Sequence, residues 1–297
     1  MQYLDSFTLP SADAEDSYIL NYPHTLEMQC YDHNNVYPFK IFPPKQLRQL
    51  DFTPITIFYG SNGSGKSTLL NIIAQKLKLK RSAPFNNTPF MTDYLKRCTP
   101  GFTFGRNAPE GSRIITSDDV FDFLLDIRSI NEGVDRRREQ LFEEYDSFND
   151  PNAPHWQMRT LDDYEELKRR NEARGRTKSV YVSRRLPKEL TSKSNGESAY
   201  VYFTQEIKEN ALYLLDEPEN SLSAKLQNDL VQFIEDSVRF YRCQFILSTH
   251  SPFLLAMKGA KIYDLDSVPV VERDWTELGN VRVYYEFFRS HMAEFER

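Results

Sequence analysis

Lys66 stands in the run Gly60-Ser61-Asn62-Gly63-Ser64-Gly65-Lys66-Ser67-Thr68, which fits the pattern G-x-x-x-x-G-K-[ST]. Glycines at this spacing let the backbone turn its N–H groups inward, and a lysine followed by a hydroxyl completes a cradle for phosphate oxygens. Lys66 is expected to reach the β- and γ-phosphates of a nucleotide, and Ser67 to ligate Mg²⁺. Far downstream, Asp216 and Glu217 end the apolar run Ala211-Leu212-Tyr213-Leu214-Leu215. In that place Asp216 would hold Mg²⁺, mostly through water, and Glu217 would polarise the water that attacks the γ-phosphate. His250 follows a second apolar run, Phe245-Ile246-Leu247, inside Ser248-Thr249-His250-Ser251-Pro252. An imidazole there would touch the γ-phosphate or hold the attacking water.

These residues need elements that bring them to one edge. Ile55 to Tyr59 is a β-branched and aromatic run that reads as a strand, and Leu69, Leu70, Ile72, Ile73 and Leu77 recur at helical spacing after Lys66. The runs before Asp216 and before Ser248 lack alternation, which marks parallel strands buried on both faces. Such strands deliver functional side chains at their C-terminal edge. A helix with Leu226, Leu230, Phe233, Ile234 and Val238 on one face lies between them.

At 297 residues the chain has room for one large α/β domain, or one such domain with an insert. Hydrophobic residues make up 40% and mean hydropathy is -0.59, so no membrane-spanning run is present and a soluble protein is expected. The segment Met1-Gln2-Tyr3-Leu4-Asp5 has neither a basic nor an apolar stretch of a leader, which points to the cytoplasm. Cys30, Cys98 and Cys243 are far apart and give no metal-ligand spacing; all three read as packing residues. A net charge of -6 argues against a surface coated with nucleic acid and permits a local basic face.

Between the two halves, Leu190-Thr191-Ser192-Lys193-Ser194-Asn195-Gly196-Glu197-Ser198 precedes a helical stretch expected over 199–210. Ser194-x-x-Glu197 is a capping box in its own right. The ordered set GSNGSGKST, SNGES, LYLLDEPENSLS and LSTHSP resembles the ABC-type ATPase superfamily, and within it the SMC, RecF and OLD branch often described as AAA-family ATPases. That resemblance implies an α/β P-loop fold with a mostly parallel sheet flanked by helices, N-terminal antiparallel strands and a helical insert lobe. It implies ATP and Mg²⁺ as ligands. It also places Ser194, Gly196 and Glu197 in the signature element, Asn220 and Ser221 in the D-loop, and His250 as the switch histidine. In that family the signature element of one protomer meets the γ-phosphate held by the other. The family's Q-loop glutamine is missing: the strand Arg113-Ile114-Ile115-Thr116 runs into Ser117-Asp118-Asp119, so Ser117 or Asp118 is the candidate for that place.

The expected division is residues 1–118 and 191–297 for the ATPase domain and 119–190 for the insert. Val120, Leu124, Ile127, Leu141 and Phe142 suggest a first long helix interrupted at Gly133, Asn149 to Pro154 a turn, and Thr160-x-x-Asp163 a second helix start. The run Lys168, Arg169, Arg170, Arg174, Arg176, Lys178, Arg184, Arg185 and Lys188 is opposed by little more than Glu172, apart from the acidic run Asp162, Asp163, Glu165 and Glu166. It admits three readings: a phosphate track for DNA or RNA, contacts to a partner or nucleotide, or a solvated helix face. Tyr37 to Phe42 and Ile55 to Phe58 suggest the antiparallel strands, with an aromatic there to stack on adenine. Val283, Tyr284, Phe287, Phe288 and Met292, on a helix expected over 281–295, are expected to dock on the core.

By this reading the protein binds Mg·ATP, closes head-to-head as a homodimer around two ATPs, and hydrolyses them slowly as a switch. The resemblance implies a bacterial setting in DNA maintenance or anti-phage defence, with a separately encoded effector and no membrane. Two rivals remain from other classes: the ATPase subunit of a membrane transporter, and a scaffold that uses ATP only for assembly. The transporter reading lacks LSGGQ, and the intact Glu217 opposes the scaffold.

Overall fold

A computed structural model describes residues 1–21, 36–103, 107–150, 163–186 and 194–296. Cys30, residues 151–154 of the expected turn, Thr160, Lys188 and residues 190–193 of the expected signature segment lie outside the described residues. The strands are β1 (Leu4–Thr8), β2 (Gln49–Asp51), β3 (Ile55–Tyr59), β4 (Thr99–Phe102), β5 (Arg113–Thr116), β6 (Leu212–Asp216), β7 (Gln244–Ser248), β8 (Lys261–Asp264) and β9 (Val271–Glu272). The helices are α1 (Ala12–Leu20), α2 (Lys66–Leu77), α3 (Met91–Arg97), α4 (Ser117–Asn149), α5 (Tyr164–Arg174), α6 (Lys178–Ser183), α7 (Asn195–Glu206), α8 (Ala224–Phe240), α9 (Pro252–Leu255), α10 (Gly279–Ser290) and α11 (Met292–Phe295). Two compact units result, one of residues 1–121 with 195–297 and one of residues 122–194.

The larger unit is built on a six-stranded sheet in the order β5-β6-β7-β3-β8-β9, parallel throughout except at the β9 edge. Every residue of β3 and β7 is buried, which explains why their sequences run apolar without alternation. The antiparallel sheet is a separate one, β2-β1-β4. This corrects the expected antiparallel strands: residues 37–42 form turns, and β3 lies inside the parallel sheet. The buried Gln244 side chain joins the two sheets. Its oxygen accepts from Tyr3 N and Leu4 N at 2.8 and 2.9 Å, and its nitrogen donates to the carbonyls of Leu4 and Thr53. Leaving that amide unpaired would cost a few kcal/mol, so its full pairing at zero exposure matters.

In the smaller unit, Leu141, Ala173, Tyr181 and Val182 form the core, with Phe142, Tyr145, Phe148 and Leu186 packed against it. α4 runs unbroken through Gly133, contrary to the expected interruption. An interior glycine costs about 1 kcal/mol relative to alanine, which 33 residues of amphipathic helix absorb. A Cβ at Gly133 would meet nothing within 4 Å. Gly133→Ala is therefore expected to stabilise the protein by about 0.8–1 kcal/mol, read as an upward shift of the midpoint in urea unfolding.

The basic stretch is more fully paired than its sequence suggests. Arg170 bonds Glu166 at 2.7 Å, Lys178 bonds Asp146 at 2.6 Å, Arg185 pairs with Glu172, and Arg169 and Arg176 lie 3.8 Å from Glu144 and Glu172. Carboxylates from α4 supply part of the opposition. No helix among the described residues is long and apolar enough to cross a membrane.

Candidate functional site

The turn from β3 into α2 follows from its glycines. Gly63 and Gly65 have φ of +82° and +100°, in the left-handed region that glycine tolerates without cost. Gly65 also lies so close to Ile41 and Phe42 that a Cβ would sit 3.3 and 3.4 Å from them. α2 starts at Lys66, and the N–H groups of its first turn have no partner within the helix. They face a polar cavity of about 520 Å³ lined by Ile41, Asn62, Gly63, Gly65, Lys66, Ser67, Thr68 and Glu217. A triphosphate fits this set: a helix N-terminus, a lysine, and the hydroxyls of Ser67 and Thr68.

Lys66 is 4% exposed, and three strand ends converge on it. Its Nζ donates to the carbonyls of Gly60 and Ser61 at 2.8 and 3.2 Å. The same atom lies 2.8 Å from His250 Nε2 and 3.7 Å from Glu217 Oε1. An ammonium only donates, so His250 accepts through Nε2 here and carries its proton on Nδ1. The 3.5 Å approach of Glu217 Oε1 to His250 Nε2 is then a contact between acceptors rather than an ion pair. Glu217 occupies the left-handed region at φ +48°, a conformation costing about 1–2 kcal/mol in a non-glycine residue. Its N–H is held by Ser248, and its other oxygen accepts from Asn220 Nδ2 at 3.1 Å.

Ser67 Oγ donates to Asp216 Oδ1 at 3.0 Å, so the two residues that would hold Mg²⁺ are adjacent. Mg²⁺ takes few protein ligands and fills its octahedron with water and phosphate oxygens, which suits one hydroxyl and one carboxylate. Burial raises the Asp216 carboxyl pKa, against hydrogen bonds from Ser248 and Ser67 that lower it. A divalent cation would offset that burial.

Several residues with roles here went unassigned in the sequence. Glu219 reaches from the 3₁₀ turn after β6 to the loop after β7. One of its oxygens accepts from Thr249 Oγ1 at 2.7 Å, His250 N at 2.6 Å and Ser251 N at 3.3 Å. Asp266 accepts from Ser61 N and Ser61 Oγ at 2.7 and 2.8 Å, fixing the start of the phosphate loop. Arg81 lies within electrostatic reach of Asp216, Asp118 and Asp119. Asn280 donates through its side chain to the His250 carbonyl at 3.0 Å, and its N–H donates to Tyr59 Oη at 2.9 Å. Glu219 follows the end of β6 by three positions and Asp266 that of β8 by two, and no strand before Asp266 was expected from the sequence.

Glu219→Ala would leave Thr249 Oγ1 and His250 N without this acceptor, each worth about 1–3 kcal/mol if it stays buried, while Ser251 N keeps Thr249 Oγ1 at 3.0 Å. ATP turnover is expected to fall about tenfold, with a lower melting temperature, and Glu219→Gln is expected to restore most of both. Burial raises the Glu219 pKa above the ordinary carboxylate range, so folding favours its protonated form. The stability this contributes is full below the unfolded carboxylate pKa and is lost as pH rises through the raised value. Melting temperature measured against pH is therefore expected to vary less in Glu219→Gln than in the native protein over that window.

The remaining expected residues fall elsewhere. Gly196 lies in the first turn of α7, which begins four residues before the helix expected from sequence. A Cβ on it would come 3.2 Å from Ser221 O and 3.0 Å from Leu226 Cδ1, so the glycine lets α7 approach the turn after Glu217. Glu197 is exposed, as is Ser194 just before the helix. Neither Gly196 nor Glu197 lines the Lys66 cavity. β5 leads directly into α4, where the buried Asp119 accepts from Thr116 N, Thr116 Oγ1 and Ala83 N. Ser117 is half-buried and Asp118 exposed. Phe39 and Phe42 are buried, while Tyr37 is half-buried and bonds Thr68 at 3.2 Å.

Residues 194–256 match a family model described as "AAA domain, putative AbiEii toxin, Type IV TA system". No curated protein matches the sequence. Among solved structures, the SMC head domain from Thermotoga maritima is 14% identical, with 92% of this chain and 99% of that chain covered at a TM-score of 0.41. An Smc head domain with an extended coiled coil, bound to the C-terminal domain of ScpA derived from Pyrococcus furiosus, is 14% identical at a TM-score of 0.44, covering 97% and 100%. A dimeric ATP-binding cassette in a post-hydrolysis state, bound to ADP and Pi, is 17% identical at 0.35, covering 78% and 91%. The phosphate loop between β3 and α2 and the acidic strand end at β6 thus lie in a mostly parallel α/β sheet, and residues 194–256 are similar to an AAA domain.

Proposed function

We propose that this protein is an ATP-hydrolysing switch that binds Mg·ATP on the phosphate loop and closes head-to-head on a second copy. The observation that carries the reading is the convergence of Lys66, Glu217 and His250 within 2.8–3.7 Å, beside the Ser67–Asp216 pair. Lys66 and the α2 N-terminus bind and orient the β- and γ-phosphates. Bound Mg²⁺, held by Ser67 and Asp216, would neutralise charge on the phosphates. Glu217, fixed in its left-handed conformation, takes a proton from the attacking water, and His250 positions that water or the γ-phosphate. Ser194, Gly196 and Glu197 serve the partner's nucleotide in this scheme, which accords with the absence of Gly196 and Glu197 from the cavity of their own chain.

The biological setting we infer is bacterial and cytoplasmic, in DNA maintenance or anti-phage defence, with a separate effector under control; the toxin–antitoxin wording of the family matched over residues 194–256 supports the defensive part alone. Ion pairing within the smaller unit favours a solvated helix face over a nucleic-acid track for the basic stretch. The test is phosphate release from ATP by the purified protein with and without Mg²⁺, alongside its mass in solution. Magnesium-dependent turnover, with ATP raising the mass to that of a closed pair, is expected. No turnover over hours at micromolar protein would sink the hydrolytic reading.

A further inference from the structure

The last two helices depart from the expected docking on the core. Of α10, Val281 alone is buried. Val283, Tyr284, Tyr285, Phe287 and Phe288, with Met292 and Phe295 of α11, are 45–69% exposed. Aromatic side chains bury some 200 Å² each, so about half of seven large side chains amounts to roughly 700 Å² of open apolar surface. That exceeds what scattered exposed side chains explain. Doubled across a two-fold axis it gives about 1,400 Å², within the range of a stable interface.

The same face carries both a groove and the groups to fill one. A cavity of about 700 Å³ lies beside α10, walled by Phe253, Trp275, Tyr284, Tyr285 and Phe288 and, on the side of the candidate site, by Glu219, Asn220 and His250. Val283 and Phe287 project from the neighbouring strip of the helix, at 65% and 55% exposure. A two-fold interface requires such self-complementarity, because each residue meets its counterpart's surroundings reciprocally. The charges agree. Arg282 and Arg289 balance Glu286 and Glu294 along the two helices. In an antiparallel pair centred between Phe287 and Phe288, Glu286 of one copy falls opposite Arg289 of the other, and Arg282 near Glu294.

We infer that the α10–α11 face is a homodimer contact, with Val283 and Phe287 of each copy seated in the aromatic groove of a second copy of this chain. The contact needs no nucleotide, though its groove adjoins Glu219, Asn220 and His250 of the proposed ATP site. Sedimentation velocity of the full chain in nucleotide-free buffer tests it, with thermal melting and binding of a fluorescent ATP analogue as controls for folding. The native protein is expected to be dimeric at low micromolar concentration. Val283→Glu with Phe287→Glu should weaken the dimer by about 100-fold, with melting and nucleotide binding unchanged. Glu286→Arg alone should weaken it, and Glu286→Arg with Arg289→Glu should restore it. A native protein that stays monomeric at 100 micromolar would overturn the inference and leave the face to a different protein. A dimer unmoved by the paired glutamates would overturn it equally. Because no ATP is present, neither result bears on hydrolysis, and a protein without turnover would still show the dimer.

Discussion

Glu217→Gln is expected to lower ATP turnover by about 100-fold or more while changing Mg·ATP affinity by no more than about twofold. The amide keeps the shape and still accepts from Asn220 Nδ2, which lies 3.1 Å from Oε2 in the native protein. It also leaves the Ser248 contacts to the backbone N–H in place, so the left-handed conformation at φ +48° should persist. What the amide lacks is basicity toward water. Single-turnover phosphate release alongside equilibrium binding separates the two effects. Turnover that survives the substitution would remove Glu217 as the base and shift attention to His250, whose Nε2 lies 3.5 Å away.

Lys66→Ala should act on the other side of that split, weakening nucleotide binding by roughly 10- to 150-fold, as loss of a charged hydrogen bond of about 1.5–3 kcal/mol requires. Lys66 is buried, and its ammonium has the Gly60 and Ser61 carbonyls, His250 and Glu217 around it. Removing it also takes away the cation nearest Glu217, so a modest loss of melting temperature is expected as well. Isothermal titration with a non-hydrolysable ATP analogue measures the affinity directly. Unchanged binding would mean that the phosphates sit elsewhere than on this loop.

The parallel half of the fold was legible because its physics is local. β3, β6 and β7 are buried on both faces, so their sequences are continuous apolar runs, and the residues that follow them land on one edge. The antiparallel sheet was not legible, since β2 has only three residues and β1 pairs with β4 across most of the N-terminal half. Tyr37 to Phe42 has the composition of a strand, yet it packs around α2 as turns. Gly133 misled because helix propensity is a weak local term, outweighed here by the length of α4. The periodicity of α10 was read correctly as an apolar face, but periodicity does not say what covers that face. Glu219 escaped notice for a related reason: its partners, Thr249 to Ser251, lie on another strand's end, and only the β6–β7 pairing brings them within reach.

The place of β3 in the sheet governs how this chain comes into being. Its two neighbours are β7 and β8, with Ile55 paired to Phe245 and Thr56 to Lys261, so the phosphate-loop strand is made early and has no partner until late in synthesis. Contacts this distant along the chain fold slowly, and an apolar strand with two open edges is an aggregation hazard while it waits. A chain interrupted before β7 would hold a complete glycine-rich loop and still have no seat for it. A seated phosphate loop is in this respect available only to chains that have been read through β7 and β8.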